Sequence, residues 1–255
     1  MHDEAKHPVS TSKKTIKILD ALQELGSAGV TELASAVDMN KSTVHNHLST
    51  LKSEDLVVQK DDEYTLGLRL LEFGGRARDQ RSLYDIATPE IERLANQTGE
   101  LANLVVEEYG HGVYLVCEKG DKAVNLDIYP GVRRLLHVTA SGKAILAHLP
   151  TERIDEIIEH HGLPAKTEQS ITDRDVLLDH LEEVREQGFA VDDEEHINGL
   201  RCIGTPILSD EGDVLGAVSI SVPVTRMDDD QFYNEVPDIV RSATNVIELH
   251  VQNSR

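Results

Sequence analysis

The sequence predicts an α+β chain of two domains, because the spacing of its apolar residues changes near residue 100. Before that point apolar residues recur with the period of helices, apart from one short hairpin. After it, apolar runs and alternating segments predict antiparallel strands that interleave with helices. At 255 residues the chain is long enough for one small and one mid-sized domain. We expect the first domain at 11–67, a linker at 68–84 and the second domain at 85–253.

The first domain has the pattern of a winged helix-turn-helix. A helix over Lys14–Leu25 precedes two short helices that lie between Thr31 and Leu56 and are joined by a tight turn. Thr31 and Asn40 stand at the two N-cap positions. The strand-turn-strand pattern of residues 56–66 then predicts the wing. The second short helix buries one face, formed by Val44, Leu48 and Leu51.

The outer face of that second helix has no carboxylate before Glu54 and is rich in short hydrogen-bonding side chains. Such a face can approach a polyanion and bond both phosphates and base edges in a major groove. This favours DNA recognition over the alternative, a small helical bundle with a Ser- and Thr-rich surface. The acidic turn at residues 61–63 departs from what a phosphate contact requires. The predicted DNA contacts are Thr31, Lys41, Ser42, Thr43, His45, Asn46, Ser49 and Thr50.

The formal net charge of −21 is unusual for a DNA-binding protein, but it is unevenly distributed. Residues 1–80 carry 10 Lys and Arg against 13 Asp and Glu, whereas residues 81–255 carry 15 against 33. The acidity therefore lies mainly outside the predicted DNA-binding domain. An acidic surface with few lysines fits adaptation to high internal salt, as in an extreme halophile, and a tail-like acidic region is the alternative.

The linker and second domain follow from glycines and from strand periodicity. Gly74-Gly75 predicts a hinge, and the arginines after it either contact flanking phosphates or lie on a solvated helix. Polar turns predict two hairpins, and Pro130-Gly131 ends a third strand. The expected elements are a helix over 85–97, hairpin strands at 101–108 and 113–118, a strand at 124–128, helices from Ser141, over 152–161 and over 173–187 (capped by Thr172), hairpin strands at 200–208 and 214–222, and a helix over 229–251.

No catalytic constellation, cofactor motif or metal-site spacing is evident in the sequence. Ser141-Gly142-Lys143 lacks the preceding glycine of a phosphate-binding loop. Cys202 lies in an apolar strand, which favours a buried structural thiol over a nucleophile. Two cysteines and the lack of a signal peptide or a membrane-spanning run favour a cytoplasmic protein. We therefore expect neither an enzyme nor a metalloprotein.

Two serines in the last predicted strand have an ambiguous pattern. Ser219 and Ser221 lie on one face of the strand, and Val218, Ile220 and Val222 lie on the other. The two hydroxyls are either exposed to solvent or form the floor of a pocket for a small polar ligand. The residues alone do not decide between these alternatives.

Four segments carry a resemblance to a known family: NKSTVHNHLSTL, YTLGLRLLEFG, HVTASGKAILAHLP and GFAVDDEEHINGLRCIGTPILSDEGDVLGAVSISVP. From about residue 11 to residue 249, the chain resembles the IclR family of transcriptional regulators. This resemblance implies an N-terminal winged helix-turn-helix and a C-terminal effector domain of GAF/PAS-like fold. The effector contacts that it implies are Ala140, Ser141, Asp192, Leu200, Cys202, Ser219 and Ser221.

The function that the resemblance implies is regulation of transcription by a small molecule. The expected partners are a palindromic double-stranded DNA operator, a small organic effector (an organic acid or a sugar derivative) and further copies of the chain in a homodimer or homotetramer. An enzyme acting on a small acid is one alternative, but no base and nucleophile are evident. A protein-binding winged helix is the other, and the polar outer face argues against it.

Overall fold

The computed structural model of the chain describes residues 6–253. Their contacts divide them into two compact units, with residues up to 80 in the first and residues from 81 in the second. The predicted α+β fold class is confirmed, because the first unit is a helical domain with a small sheet and the second combines a larger sheet with helices. None of the helices within residues 6–253 is long and apolar enough to cross a membrane.

The first unit contains the predicted helix-turn-helix and wing, together with a short strand that was not predicted. In chain order its elements are α1 (Ser10–Leu25), β1 (Ala28–Gly29), α2 (Val30–Ala36), α3 (Lys41–Ser53), β2 (Val57–Lys60), β3 (Glu63–Leu66) and α4 (Arg69–Asp79). The sheet is antiparallel in the order β1-β3-β2. Its core includes Val44, Leu48 and Leu51 of α3, which are buried as predicted.

The prediction of Thr31 as an N-cap is wrong. Helix α2 begins at Val30, and the residue before it, Gly29, has an extended backbone and makes no side-chain cap. Gly29 is extended because it belongs to β1, which pairs with β3 opposite Glu63. This strand pairing sets the start of α2 two residues earlier than the capping pattern suggests.

The prediction of a hinge at Gly74-Gly75 is also wrong, because both glycines lie within α4. A glycine in a helix costs about 1 kcal/mol relative to alanine, which is not enough to break a helix whose other residues favour it. The flanking segments, RLLE and RARD, are rich in strong helix formers. The helix therefore continues from Arg69 to Asp79.

The second unit is built around a six-stranded sheet. Its elements are α5 (Ser82–Thr98), β4 (Leu101–Glu108), β5 (His111–Lys119), β6 (Arg133–Leu135), α6 (Ala140–Leu146), α7 (Thr151–His161), α8 (Arg174–Gln187), β7 (Ala190–Asp193), β8 (Leu200–Leu208), β9 (Val214–Pro223) and α9 (Val236–Asn253). The strand order is β6-β5-β4-β9-β8-β7, and all neighbours are antiparallel. The two predicted hairpins, β4-β5 and β8-β9, are confirmed and meet through β4 and β9.

Helices cover both faces of this sheet. One face packs against α5 and α9 and includes Val218, Ile220 and Val222, as the alternation in β9 predicts. The opposite face packs against α6, α7 and α8. Ser219 and Ser221 belong to this second face.

The strand predicted at residues 124–128 is not formed. The position next to β5 is occupied by β6, so the intervening segment crosses the second face of the sheet without joining it. Val124 and Leu126 are apolar because they pack against Ala140, Leu200 and Cys202, not because they alternate in a strand.

Asp192 and Asp193 end the edge strand β7, which pairs with β8. One other local prediction is wrong. The N-cap of α8 is Asp173, not Thr172, because the Asp173 carboxylate accepts hydrogen bonds from the backbone N–H groups of Asp175 and Val176 at 2.9 and 3.1 Å.

Candidate functional sites

Helix α3 is held so that one face is buried and the other is exposed. Its N-terminus is capped by Asn40, whose side-chain oxygen accepts a hydrogen bond of 2.7 Å from the backbone N–H of Thr43, as predicted. Val44, Leu48 and Leu51 anchor the inner face in the core of the first unit. The outer face of α3 is therefore fixed in direction by packing beneath it.

The predicted DNA contacts share this outer face, apart from Thr31 in the first turn of α2. Thr43 is half-buried, and the others are exposed. The hydroxyl of Thr50 donates to the backbone carbonyl of Asn46 within the helix. The exposed set consists of Thr31, Lys41, Ser42, His45, Asn46, Ser49 and Thr50. A face of this composition has donors and acceptors for base edges and one cation near its N-terminus for a phosphate.

The acidic turn of the wing is partly engaged within the first unit. The Glu63 carboxylate accepts a hydrogen bond of 2.6 Å from the hydroxyl of Ser27, which lies just before β1. At the base of the wing, Lys52 donates to the side chain of Gln59 at 2.9 Å. These bonds hold the wing against α3 and against the segment that follows α1.

Sequence reasoning missed one polar contact beneath the recognition face. The ring of His47, half-buried on α3, lies 2.9 Å from the hydroxyl of Thr15 on α1. His47 follows Asn46 directly, but it belongs to the side of α3 that faces α1. The sequence feature that predicts this orientation is the spacing of three residues between Val44, which is on the buried face, and His47.

In the second unit, strand register brings four of the predicted effector contacts together. Cys202 of β8 lies opposite both Asp192 of β7 and Ser221 of β9. The thiol of Cys202 lies 3.3 Å from the hydroxyl of Ser221. Two residues along β9, Ser219 is paired with Asn103 of β4. Ser219 and Ser221 are both buried, so their exposure to solvent is excluded.

The start of α6 lies directly on these strands. A Cβ atom on Gly204 of β8 would lie within 2.7 Å of the backbone atoms of Ala140 and Ser141, so only glycine allows this approach. Thr139 caps α6 by accepting a hydrogen bond of 3.1 Å from the Gly142 N–H. Ala140 and Ser141 are thereby placed over the sheet face that carries the two serines.

Asp192 is the most unusual titratable group of this site. Its side chain is 1% exposed, and one carboxylate oxygen accepts hydrogen bonds from the backbone N–H groups of Glu195 and His196 at 2.8 and 3.2 Å. Burial raises the pKa of Asp192 to about 7, although the neighbouring charge of Lys143 acts in the opposite direction. This carboxyl can therefore be protonated near neutral pH and then donate a hydrogen bond.

The cation nearest to Asp192 is already paired. Lys143 of α6 is fully buried and forms an ion pair with Glu195. Burial raises the pKa of Glu195, and its second carboxylate oxygen has no hydrogen-bond partner among the described residues. The sequence signal for this pair is Lys143 itself, the one charged residue in the otherwise small and apolar run TASGKAILA.

Cys202 is a buried thiol, as predicted. Burial, and the neighbouring charge of Asp192, raise its pKa well above the ordinary value, so the thiolate is not available as a nucleophile. Tyr114 of β5, which sequence reasoning missed, belongs to the same cluster. Burial is also the main cause that raises its pKa. Both groups therefore remain neutral at physiological pH.

The structure thus brings the seven predicted effector contacts into one buried region, which we call the polar cluster. Val124 and Leu126 pack on its apolar part, formed by Ala140, Leu200 and Cys202. Asn103 was also missed, and its side-chain oxygen is buried without a hydrogen-bond partner in the part of the chain that the structure describes. The polar cluster consists of Asn103, Tyr114, Ala140, Ser141, Asp192, Leu200, Cys202, Ser219 and Ser221, with Lys143 and Glu195 beside it.

Within residues 6–253, no group of three or more His, Cys, Asp or Glu side chains is placed to hold a metal ion. The polar cluster is instead composed of hydroxyls, a thiol, an amide and a carboxyl, which suits hydrogen bonding to a small organic molecule.

Comparison with known proteins agrees with both halves of this description. Residues 13–61 match the family model of the IclR helix-turn-helix domain, and residues 76–248 match that of the bacterial transcriptional regulator IclR C-terminal domain. The chain belongs to the IclR family. It is a transcriptional regulator with a helix-turn-helix DNA-binding domain and a C-terminal effector-binding domain, and it is not an enzyme.

Individual relatives match along nearly the whole chain. A probable HTH-type transcriptional regulator ArcR of Halobacterium salinarum is 35% identical over 250 residues, which cover 96% of this chain and 95% of the relative. The crystal structure of Thermotoga maritima IclR aligns with a TM-score of 0.76 at 30% identity, covering 94% of this chain and 98% of that one. An IclR homologue of Microbacterium hydrocarbonoxydans, complexed with 4-hydroxybenzoate, aligns with a TM-score of 0.80 over 95% of this chain and 99% of that one; at 22% identity it shows the shared fold alone.

Proposed function

We propose that α3 is the recognition helix, and that its outer face reads an operator in the major groove. The observation that supports this is the exposed, carboxylate-free surface between Lys41 and Thr50, fixed in direction by the buried face of α3. Asn46 has the amide geometry that pairs with adenine, and Lys41 supplies charge to a phosphate. The other contacts are Thr31, Ser42, Thr43, His45, Ser49 and Thr50.

The division between base reading and phosphate binding can be tested with two single variants. Asn46→Ala is expected to lower affinity for a selected operator by roughly tenfold while leaving affinity for mixed-sequence DNA almost unchanged. Lys41→Ala is expected to weaken binding to both duplexes and to reduce the salt slope by about one. Equal losses on the two duplexes for both variants would contradict the assignment.

We also propose that the chain binds palindromic DNA as a homodimer or homotetramer in the cytoplasm. Two copies related by a two-fold axis present two recognition helices to half-sites about 34 Å apart, which is one turn of DNA. Analytical ultracentrifugation with a selected operator tests this arrangement. A single chain bound per operator would count against it.

We propose that the polar cluster binds a small organic effector, an organic acid or a sugar derivative, and that binding changes operator affinity. Buried polar atoms normally have partners, so the unpartnered oxygen of Asn103 beside the buried hydroxyl of Ser219 supports a ligand here. Ser219 and Ser221 would bond ligand oxygens, and protonated Asp192 would donate a hydrogen bond. Ala140, Ser141, Leu200 and Cys202 would form the walls.

The effector site can be tested without disturbing the operator surface. The double variant Ser219→Ala with Ser221→Ala is expected to lower effector affinity at least roughly tenfold in isothermal titration, with operator affinity unchanged. Thr205→Val is the matched control, because it removes a buried hydroxyl from the opposite face of the same sheet, where Thr205 contacts Thr244. Effector binding that survives in the double variant would exclude these serines.

We finally propose that the protein is adapted to high salt. The carboxylate excess lies in residues 81–255, outside the unit that contains α3, and a relative from Halobacterium salinarum shares 35% identity. At molar salt counterion release contributes little to affinity, so specificity depends on hydrogen bonds and DNA shape. Operator binding that persists from low to molar KCl while binding to random DNA is lost would support this; loss of both together would contradict it.

A further inference from the structure

The junction between β3 and α4 lies backbone against backbone on the C-terminal end of α3. A Cβ atom on Gly67 would lie 2.3 Å from the carbonyl oxygen of Asp55 and 2.9 Å from the carbonyl carbon of Leu56. The Gly67 N–H donates a hydrogen bond of 2.8 Å to the Leu56 carbonyl. Any side chain at residue 67 would push this junction away from the end of α3.

Arg69, in the first turn of α4, makes a second contact with the same end of α3. Its guanidinium donates a hydrogen bond to the backbone carbonyl of Glu54, the C-cap residue of α3, and lies 3.5 Å from the Glu54 carboxylate. The last carbonyls of a helix lack intrahelical partners and form the negative end of its dipole, so a cation is favoured there. Because both side chains are exposed, the bond to the carbonyl matters more than the ion pair between the side chains.

Most of α4 is exposed. None of its side chains is buried, and Leu71 is 70% exposed. The guanidinium of Arg69 also lies 5.7 Å from the ring centroid of Phe73, one turn later on α4. Gly67 and Arg69 therefore fix the start of α4 against the C-terminal end of α3.

We propose that Arg69 is a positioning residue for DNA recognition, which with Gly67 clamps the C-terminal end of the recognition helix to α4 so that both helices move as one body. This inference rests on the proposed role of α3. Because residues beyond 80 continue from α4, any change in the direction of α4 is passed to α3 through the clamp. The clamp acts on the direction of the recognition helix and leaves its DNA-contacting side chains unchanged.

Three variants of the full chain separate this role from a simple phosphate contact. Arg69→Gln removes the positive charge and the guanidinium that donates to the Glu54 carbonyl. Arg69→Lys retains a cation that can reach the same carbonyl. Arg76→Gln is the matched control, since it removes the same charge from an exposed position on the same helix. The probes are duplexes that the wild-type protein selects from a random-sequence pool and one unselected mixed-sequence duplex.

Arg69→Gln is expected to lower the ratio of affinities for selected over unselected DNA by roughly tenfold, because a tilted recognition helix loses base contacts first. Arg69→Lys is expected to restore most of that ratio, and Arg76→Gln to leave it unchanged. If Arg69→Gln weakens binding to both duplexes by the same factor, as a phosphate contact would, the proposal is overturned.

A second measurement needs no DNA and follows the clamp itself. The backbone N–H groups of Glu54, Asp55 and Leu56 are hydrogen-bonded at the end of α3. Their hydrogen exchange is expected to quicken in Arg69→Gln but not in Arg76→Gln, with the wing unchanged in both. Unchanged exchange at these three groups overturns the clamp. If the wild type selects no duplex, the proposed function fails while this measurement still decides the clamp.

Discussion

Replacing Asp192 by asparagine tests the electrostatics of the polar cluster directly. Asparagine keeps the shape of the side chain and an oxygen that can accept the two backbone hydrogen bonds from Glu195 and His196. The substitution removes only the ability to ionise. In the wild type that ionisation is unfavourable, because Asp192 is buried and the nearest cation, Lys143, is paired with Glu195.

The sign and size of the effect follow from the pKa. The pKa of Asp192 is about 7 in the folded chain and 3.8 in its unperturbed form. Between these values the folded state holds a proton that the unfolded state has lost, so this contribution to stability is lost as the pH rises through 7. At 1.36 kcal/mol per pKa unit, ionisation costs up to about 4 kcal/mol above that pH. Asp192→Asn has no ionisation at this position, so the variant is expected to be more stable than the wild type at alkaline pH.

Urea denaturation followed by circular dichroism is a suitable assay, because the chain has no tryptophan for fluorescence. At about pH 4 the two proteins should differ little, and at about pH 8 the variant should unfold at higher urea. Asp179→Asn, which removes a charge from the exposed side of α8, is the control and should show no such dependence. The reasoning would be refuted if the difference in urea midpoint between Asp192→Asn and the wild type were the same at both pH values. It would also be refuted if the variant were less stable than the wild type at pH 8.

Three further substitutions test how the rest of the fold is held together. Leu48→Ala leaves a cavity in the core of the first unit and should lower the free energy of unfolding by about 2–5 kcal/mol. The loss is measured as a lower midpoint temperature for the disappearance of the helical circular dichroism signal. Asn40→Ala removes the α3 cap and should cost about 1 kcal/mol in the same assay, and an unchanged midpoint would show that the cap is dispensable. Lys143→Met leaves the buried carboxylate of Glu195 without its ion-pair partner. This should lower the free energy of unfolding, measured in urea, by about 3–5 kcal/mol. Adding Glu195→Leu should recover most of that loss, and no recovery would mean that the ion pair is not the cause.

Features that depend on neighbouring residues could be predicted from the amino-acid sequence. The inner face of α3, its Asn40 cap and the hairpin β4-β5 were all predicted, because side-chain periodicity and capping act over a few residues. The position of the effector contacts came from a resemblance in sequence, not from any local rule. Serine alternation in β9 showed that Ser219 and Ser221 share a face, but it did not show that the face is buried.

Contacts between segments that are distant in the sequence could not be predicted and are seen in the folded chain. The pairing of β4 with β9 buries Ser219 beside Asn103, and the pairing of β1 with β3 moves the start of α2 away from Thr31. Local composition also led to the wrong prediction of a hinge at Gly74-Gly75. The helix propensity of the neighbouring residues is large enough to keep both glycines in α4. Lys143 and Glu195 are separated by 52 residues, and their ion pair depends on the packing of α6 against β8. Such contacts form only when distant segments pack together in the core, so no short stretch of the sequence predicts them.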